Sequence, residues 1–392
     1  MTPTERPPRF DGLRLTALAQ DDPFARATWS GAAHHLFSAM VELGADVRGV
    51  SGRPPRAAHV AARVLSASGD RDLLRLKAGI HPVRRWAATA AAWRRARAVD
   101  PSPDVLLQLG IFYEPDRLPG FSPRMTCSFH DGNLITGLRG AGVGRASGGL
   151  ARLVRFEREA FSRKDLIFTT SEWLRGSFID DFGQPPGKVI TVGAGPNFHA
   201  LPAVPERDEG SPRFLFVGKD FPRKGGPDVL EAFARVREVH PDAELWIVGA
   251  PDAPADAPGV SNLGVISRSD PDGDARLRDL YSRATAYVMP SRYEPFGFVF
   301  LEAMSFGLPC IASATCAMPE IVRDGETGHV VPPRDVTSLA AAMTALADDP
   351  AQARRLGAAG RARVVEWFNW QSVAGRILAA ISDHAPAPGS AR

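Results

Sequence analysis

Apolar residues fall along this chain in short blocks that alternate with longer stretches of helical period. Leu13 to Ala19 is an apolar run of strand length, Gly31 to Leu43 repeats apolar residues at helical spacing and stops at Gly44, and Asp46 to Val50 is a second strand. Residues 56 to 98 are Ala-rich and helical with basic faces, and Asp104 to Leu109, Met125 to Phe129 and Leu166 to Thr170 are further short buried strands. Apolar strands separated by helices predict a parallel sheet covered on both sides. Periodicity then lapses over residues 193–212, where Gly and Pro gather as in an interdomain linker, with a boundary near residue 200.

A second alternation follows. It runs strand Arg213 to Val217, helix Pro227 to Val239, strand Glu244 to Val248, helix Ala275 to Ser282, strand Ala286 to Met289, helix Phe298 to Phe306 and strand Pro309 to Ala312. Thr337 to Ala347 and Asp349 to Trp367 are helical, and the end from Asp383 reads as a frayed tail. The fold class expected is α/β, with two doubly wound parallel-sheet domains over residues 1–200 and 201–370, then a C-terminal helix and flexible tail over 371–392. Such sheets take ligands at their carboxyl edges, so a cleft between the domains is the expected site.

Composition narrows the function classes. With 392 residues, 44% of them apolar and 23% charged, the chain can bury a sizeable core. Its 47 basic and 44 acidic side chains nearly cancel, which argues against nucleic acid as a partner. No apolar run is long enough to span a membrane and the first residues, Met1 to Pro8, lack the apolar core of a signal peptide, so a cytoplasmic address is expected. Cys127, Cys310 and Cys316 lack metal-ligand spacing and read as reduced thiols. Only five residues are Lys, and Lys219 and Lys224 fall within six positions of each other.

Two stretches carry chemistry. In Pro290 to Met304, Glu294 lies in a Pro-bounded turn and Glu302 within an otherwise apolar helix. A carboxylate there must be hydrogen-bonded, either by vicinal sugar hydroxyls or, as the alternative, by an Arg of the core. Gly297 and Phe298 open that helix, and its first amides, with the helix dipole, suit an anion such as a diphosphate. In Val217 to Pro227, Gly218, Lys219, Arg223 and Lys224 make a cationic loop between a strand and a helix. It suits phosphate oxygens, with a solvated basic turn as the alternative. In the first half, Thr28 to Gly31 follows the first strand, and Ser128 to Asn133 places His130 at a strand end, either as a donor to a ligand or as a structural histidine.

The set Gly218-Lys219, Arg223-Lys224-Gly225, Leu245 to Gly249, Pro290-Ser291, Glu294 with Glu302, and Asp324-Gly325 with Gly328 resembles family 4 of the retaining glycosyltransferases, glycosyl transferases group 1, which have the GT-B fold. The resemblance is close over residues 213–370. It is looser over 11–200, where Trp29-Ser30-Gly31, His130 and Thr170 to Trp173 keep the expected order. It implies a nucleotide-diphosphate sugar as donor and a hydroxyl acceptor. Glu302 would hold the ribose, Glu294 the transferred sugar, Lys219 and Lys224 the diphosphate, and His130 the cleft-histidine position. Gly31, Arg223, Val265, Phe298 and Val299 would border the donor. Members often carry Arg where Lys219 stands, and two adjacent glycines where Ser30-Gly31 stands.

The only metal-like acidic run, Asp270 to Asp274, has its Gly at the wrong position for a calcium loop and reads as a cap of the next helix, so metal-independent transfer is expected. The alternatives are a sugar-nucleotide epimerase or hydrolase on the same fold, or a catalytically silent scaffold subunit. The Arg-rich helices within 56–98 are either a solvated face or a weak contact with an anionic membrane at its inner face.

Overall fold

The computed structural model describes residues 9–66, 81–111, 113–143, 149–198, 200–206, 210–254, 256–268 and 270–385. The chain divides into two compact units, Met1–Gly193 with Trp370–Arg392, and Ala194–Asn369. The stretches Met1 to Pro8, 67–80 and 386–392, on which parts of the leader, basic-helix and tail expectations fall, lie outside the described residues.

In chain order, the first unit holds β1 (Arg14–Ala19), α1 (Ala32–Glu42), β2 (Asp46–Ser51), α2 (Arg56–Leu65), α3 (Pro82–Val99) and β3 (Val105–Leu109). It continues with β4 (Met125–His130), α4 (Leu134–Gly140), α5 (Gly149–Ser162), β5 (Leu166–Thr169), α6 (Glu172–Asp180) and β6 (Val189–Thr191). Its six strands are parallel, in the order β2-β1-β3-β4-β5-β6. β3 and β4 are buried along their whole length, the expected state of a parallel strand with helices on both faces. The expected helix from Gly31 begins one residue later. Gly31 has φ +97°, a left-handed conformation that a Cβ would strain, and it joins the turn Thr28–Gly31 to α1.

The second unit holds β7 (Arg213–Val217), α7 (Gly226–Val239), β8 (Glu244–Val248), β9 (Val260–Asn262), α8 (Pro271–Arg283), β10 (Ala286–Met289) and α9 (Phe298–Ser305). After these come β11 (Cys310–Ser313), α10 (Met318–Ile321), β12 (Gly328–Val331), α11 (Val336–Asp348) and α12 (Pro350–Glu366). Its six parallel strands follow the order β12-β11-β10-β7-β8-β9. That is the doubly wound order in which the chain leaves β7 and β10, neighbours in the sheet, toward opposite sides. In sheets of this order ligands bind at the carboxyl ends of the two diverging strands.

Two expectations are corrected here. The segment from 371 is not a separate region: α13 (Trp370–His384) belongs to the first unit and packs on α1, with Trp370 stacked on His35 and Arg376 Nη2 donating to Val192 O at 2.7 Å. An apolar face that includes Val373, Ile377 and Ile381 is buried there, and the helix ends at His384. Asp270 does stand at the N-cap of α8, but its side chain makes no capping bond, and Asp272 and Asp274 occupy the first turn, where the helix dipole favours them. Among the described residues no helix is long and apolar enough to cross a membrane.

Candidate functional site

The loops leaving β7 and β10 are bonded to each other at the switch point of the second sheet. Arg223 O accepts from Arg292 N at 2.8 Å and from Ser291 Oγ at 3.2 Å, so the main chain of one loop fixes the other. Gly218, whose N donates to Val248 O at 2.8 Å, starts the first loop. Gly225 ends it with φ +78° and stands so close to the second loop that a Cβ would lie 2.3 Å from Pro290 O. Only glycine meets both demands, the positive φ and the close approach.

That junction sets the charges. Lys224 Nζ lies 2.7 Å from Glu294 Oε2 and 3.3 Å from Met289 Sδ. Arg223 Nη1 lies 3.6 Å from the same carboxylate oxygen, donates also to Tyr293 O, and its Nε is held by Asp220 Oδ2 at 2.9 Å. Glu294 is therefore a largely buried carboxylate facing two cations from the opposite loop. Lys219 differs: it is exposed and makes no ion pair with a described residue, so its charge is free for an anion. Gly297 follows in the left-handed region, φ +87°, and opens α9, whose first residues Phe298 and Val299 are half-buried.

Glu302 has a different environment. Its Oε2 accepts from Arg268 Nη2 at 2.6 Å and from Tyr281 Oη at 3.1 Å, and its Oε1 accepts from Asn197 Nδ2 at 3.2 Å. Burial, and Glu302 after it, push the Tyr281 phenol well above its ordinary value, so it remains a donor. Burial alone would lower Arg268, but Glu302, Tyr281 and Asp274 together outweigh it and raise the guanidinium. The Arg268 and Arg278 guanidinium carbons stand 4.9 Å and 4.6 Å from the Phe198 ring centre, which anchors the linker residues beside this carboxylate. The residue pattern left two ways to satisfy Glu302, sugar hydroxyls or an Arg of the core, and the structure supplies the Arg; the identities of Arg268, Tyr281 and Asn197 were missed, because none of them lies in a recognisable motif. Val265 is exposed on the loop after β9, where Asn262 ties neighbouring turns by donating to Ala250 O at 3.0 Å and Ala253 O at 2.7 Å.

The remaining candidates lie in the first unit. Gly31 is buried at the start of α1. Before it, Trp29 adopts φ +50° and its Nε1 donates to Asp131 Oδ2 at 3.2 Å, joining the loops after β1 and β4. His130 closes β4, enclosed by Phe161 and Phe178 at ring distances of 5.4 and 5.0 Å, and its Nε2 has no hydrogen-bond partner among the described residues. Burial, aided by the Lys164 ammonium, lowers it to about 3, so near neutral pH the ring is uncharged and carries one N–H. Ser171, within the Thr170 to Trp173 segment, caps α6 by accepting from Leu174 N at 3.1 Å.

Residues 197–363 match the family described as Glycosyl transferases group 1. The chain is 31% identical to a glycogen synthase of Mycobacterium tuberculosis over 264 residues, 63% of this chain and 62% of that protein. It is 34% identical over 220 residues to an MMP alpha-(1->4)-mannosyltransferase of Mycolicibacterium hassiacum, 54% of this chain and 53% of that one. The chain thus spans less than two thirds of the length of these curated relatives. Among solved structures, a sucrose-phosphate synthase from Thermosynechococcus elongatus is similar with a TM-score of 0.64 at 21% identity, over 94% of this chain and 98% of that one. That likeness is one of fold, and the GT-B class expected from the sequence is the one observed.

Proposed function

We propose that this chain is a group 1 glycosyltransferase that moves a sugar from a nucleotide-diphosphate sugar to a hydroxyl acceptor, with retention at the anomeric carbon and without a metal. The observation that carries the reading is the switch point of the second sheet, where the loops after β7 and β10 bring Arg223, Lys224 and Glu294 together. Both loops fall inside the matched region, and the relatives named above bear the names of sugar-transferring enzymes.

The chemistry asks for stabilisation of a diphosphate as its bond to the anomeric carbon breaks. Lys219 offers an ammonium that no described residue pairs, and Lys224 offers a second that passes from Glu294 to a phosphate oxygen as the donor enters. The first amides of α9, after Gly297, add a partial positive charge. Glu294, released from Lys224, accepts from hydroxyls of the transferred sugar. Glu302 keeps lone-pair capacity on Oε1, which among the described residues accepts from Asn197, and takes a ribose hydroxyl there.

The test is a panel of nucleotide-sugars screened by calorimetry, followed by product analysis with hydroxyl acceptors, with and without chelator. A donor that binds and is transferred only when acceptor is present, at a rate chelator leaves unchanged, supports the reading. Epimerised or hydrolysed donor in the absence of acceptor would assign the epimerase or hydrolase alternative. No binding of any nucleotide-sugar would leave a silent scaffold.

A further inference from the structure

Two polar atoms at the loop junction are buried and unspent. Arg292 follows β10, two positions before Glu294, and its Nη2 donates to Asp228 Oδ1 at 3.2 Å in the first turn of α7. Arg292 Nε and Asp228 Oδ2 are shut away from solvent and have no hydrogen-bond partner among the described residues. The Asp228 side chain is 14% exposed and that of Arg292 35%, so the pair is more than a surface contact. Buried donors and acceptors are seldom left in this state, because each has lost its water without a replacement.

The unspent atoms belong to two groups that are already joined. A guanidinium presents Nε and Nη2 side by side, at a spacing that matches the two oxygens of a carboxylate. The single bond observed is therefore half of a two-bond fork, and a turn of either side chain brings Nε to Oδ2. The neighbouring ties decide where Arg292 stands. Its own N donates to Arg223 O at 2.8 Å, Tyr293 O accepts from Arg223 Nη1, and Glu294 is held toward the first loop by Lys224 Nζ at 2.7 Å. Entry of a diphosphate takes Lys224 from Glu294, and the tie so lost has a replacement within reach on Asp228.

We propose that Asp228 and Arg292 are positioning residues of the donor site: their ion pair clasps the loops after β7 and β10 and closes from one hydrogen bond to a fork as the donor draws Lys224 from Glu294, so that Glu294 keeps its place beside the transferred sugar. The clasp rests on the reading of this junction as a donor site. An ion pair that served folding alone would act equally with and without nucleotide. The fork acts on the bound state only, and so it adds to affinity.

The test separates the two states with R292K. Lysine keeps the charge and one hydrogen bond to Asp228, but it has no second donor in fork geometry. The full native chain, R292K, D228N and the double variant are melted without nucleotide, and their dissociation constants for UDP-glucose, ADP-glucose, GDP-mannose and dTDP-glucose are measured by calorimetry. Without nucleotide, R292K is expected to melt as the native chain does. It should bind the preferred nucleotide-sugar about tenfold more weakly, the contribution of one charged hydrogen bond. D228N, checked for folding by circular dichroism, should weaken binding by a similar factor, and the double variant by no more than either single change, since each removes the same fork. Native affinity in folded R292K overturns the proposal and leaves the donor site standing. A lower melting temperature without nucleotide, joined to unchanged affinity, overturns it in favour of an ordinary structural pair. If the native chain binds none of these nucleotide-sugars, the donor-site reading itself fails and takes the clasp with it.

Discussion

Arg268 Nη2 stands 2.6 Å from Glu302 Oε2, and this pair, with Tyr281 and Asn197, encloses a carboxylate that is 4% exposed while its guanidinium partner is 26% exposed. The asymmetry of exposure decides which half of the pair matters more to folding. Removing Arg268 leaves a buried charge with two neutral donors, whereas neutralising Glu302 leaves a cation that water reaches. Arg268→Ala is expected to cost about 2–3 kcal/mol and Glu302→Gln about 1 kcal/mol, read by urea unfolding.

The two loop lysines should separate in their effects. Lys224 is tied to Glu294 and Lys219 to nothing described, so Lys224→Ala should lower stability by about 1 kcal/mol while Lys219→Ala leaves it unchanged. If both meet the donor, each should lower kcat/KM by about tenfold to a hundredfold, the value of one charged hydrogen bond. Steady-state kinetics with the transferred donor, beside unfolding curves, distinguishes a ligand contact from a structural one.

His130 gives a pH dependence of definite sign. Its folded value, lowered by burial and Lys164 to about 3, lies below the ordinary 6.5, so the unfolded chain binds a proton that the folded chain refuses. The stability linked to this residue is complete above pH 6.5 and falls as the pH drops toward 3, by about 1.4 kcal/mol for each pH unit. His130→Gln should flatten that part of the acid limb in urea unfolding between pH 7 and 4. An identical slope in the variant would show that the ring is not the group responsible.

Gly225 couples the backbone to the charged site. Gly225→Ala combines an unfavourable positive φ with a Cβ placed 2.3 Å from Pro290 O, and should cost about 2–3 kcal/mol while separating the two loops. The measurable consequence is a lower melting temperature together with weaker nucleotide-sugar binding; binding at the native strength would mean that the loop junction does not shape the site.

The elements legible in the sequence were those buried on both faces. Arg213 to Val217, Glu244 to Val248 and Ala286 to Met289 are strands with the bounds their apolar runs predict. The strands that escaped notice were Val189–Thr191, Val260–Asn262 and Gly328–Val331. All three lie at sheet edges, where three or four residues with mixed polarity suffice and no apolar run marks them. The closing helix was legible as a helix but not as part of the first unit, since its partner Val192 lies 184 positions from Arg376 and its partner His35 lies near the start of the chain.

By itself, then, the sequence determined the α/β class, two alternating series of strands and helices, and a small inventory of reactive side chains, because periodicity and residue type are local properties. Tertiary structure alone decided which of those side chains meet. Lys224 reaches Glu294 across 70 positions, and Glu302 reaches Arg268 across 34 and Asn197 across 105. The first of those distances closes because strand order places β7 beside β10, and no local pattern of residues encodes strand order.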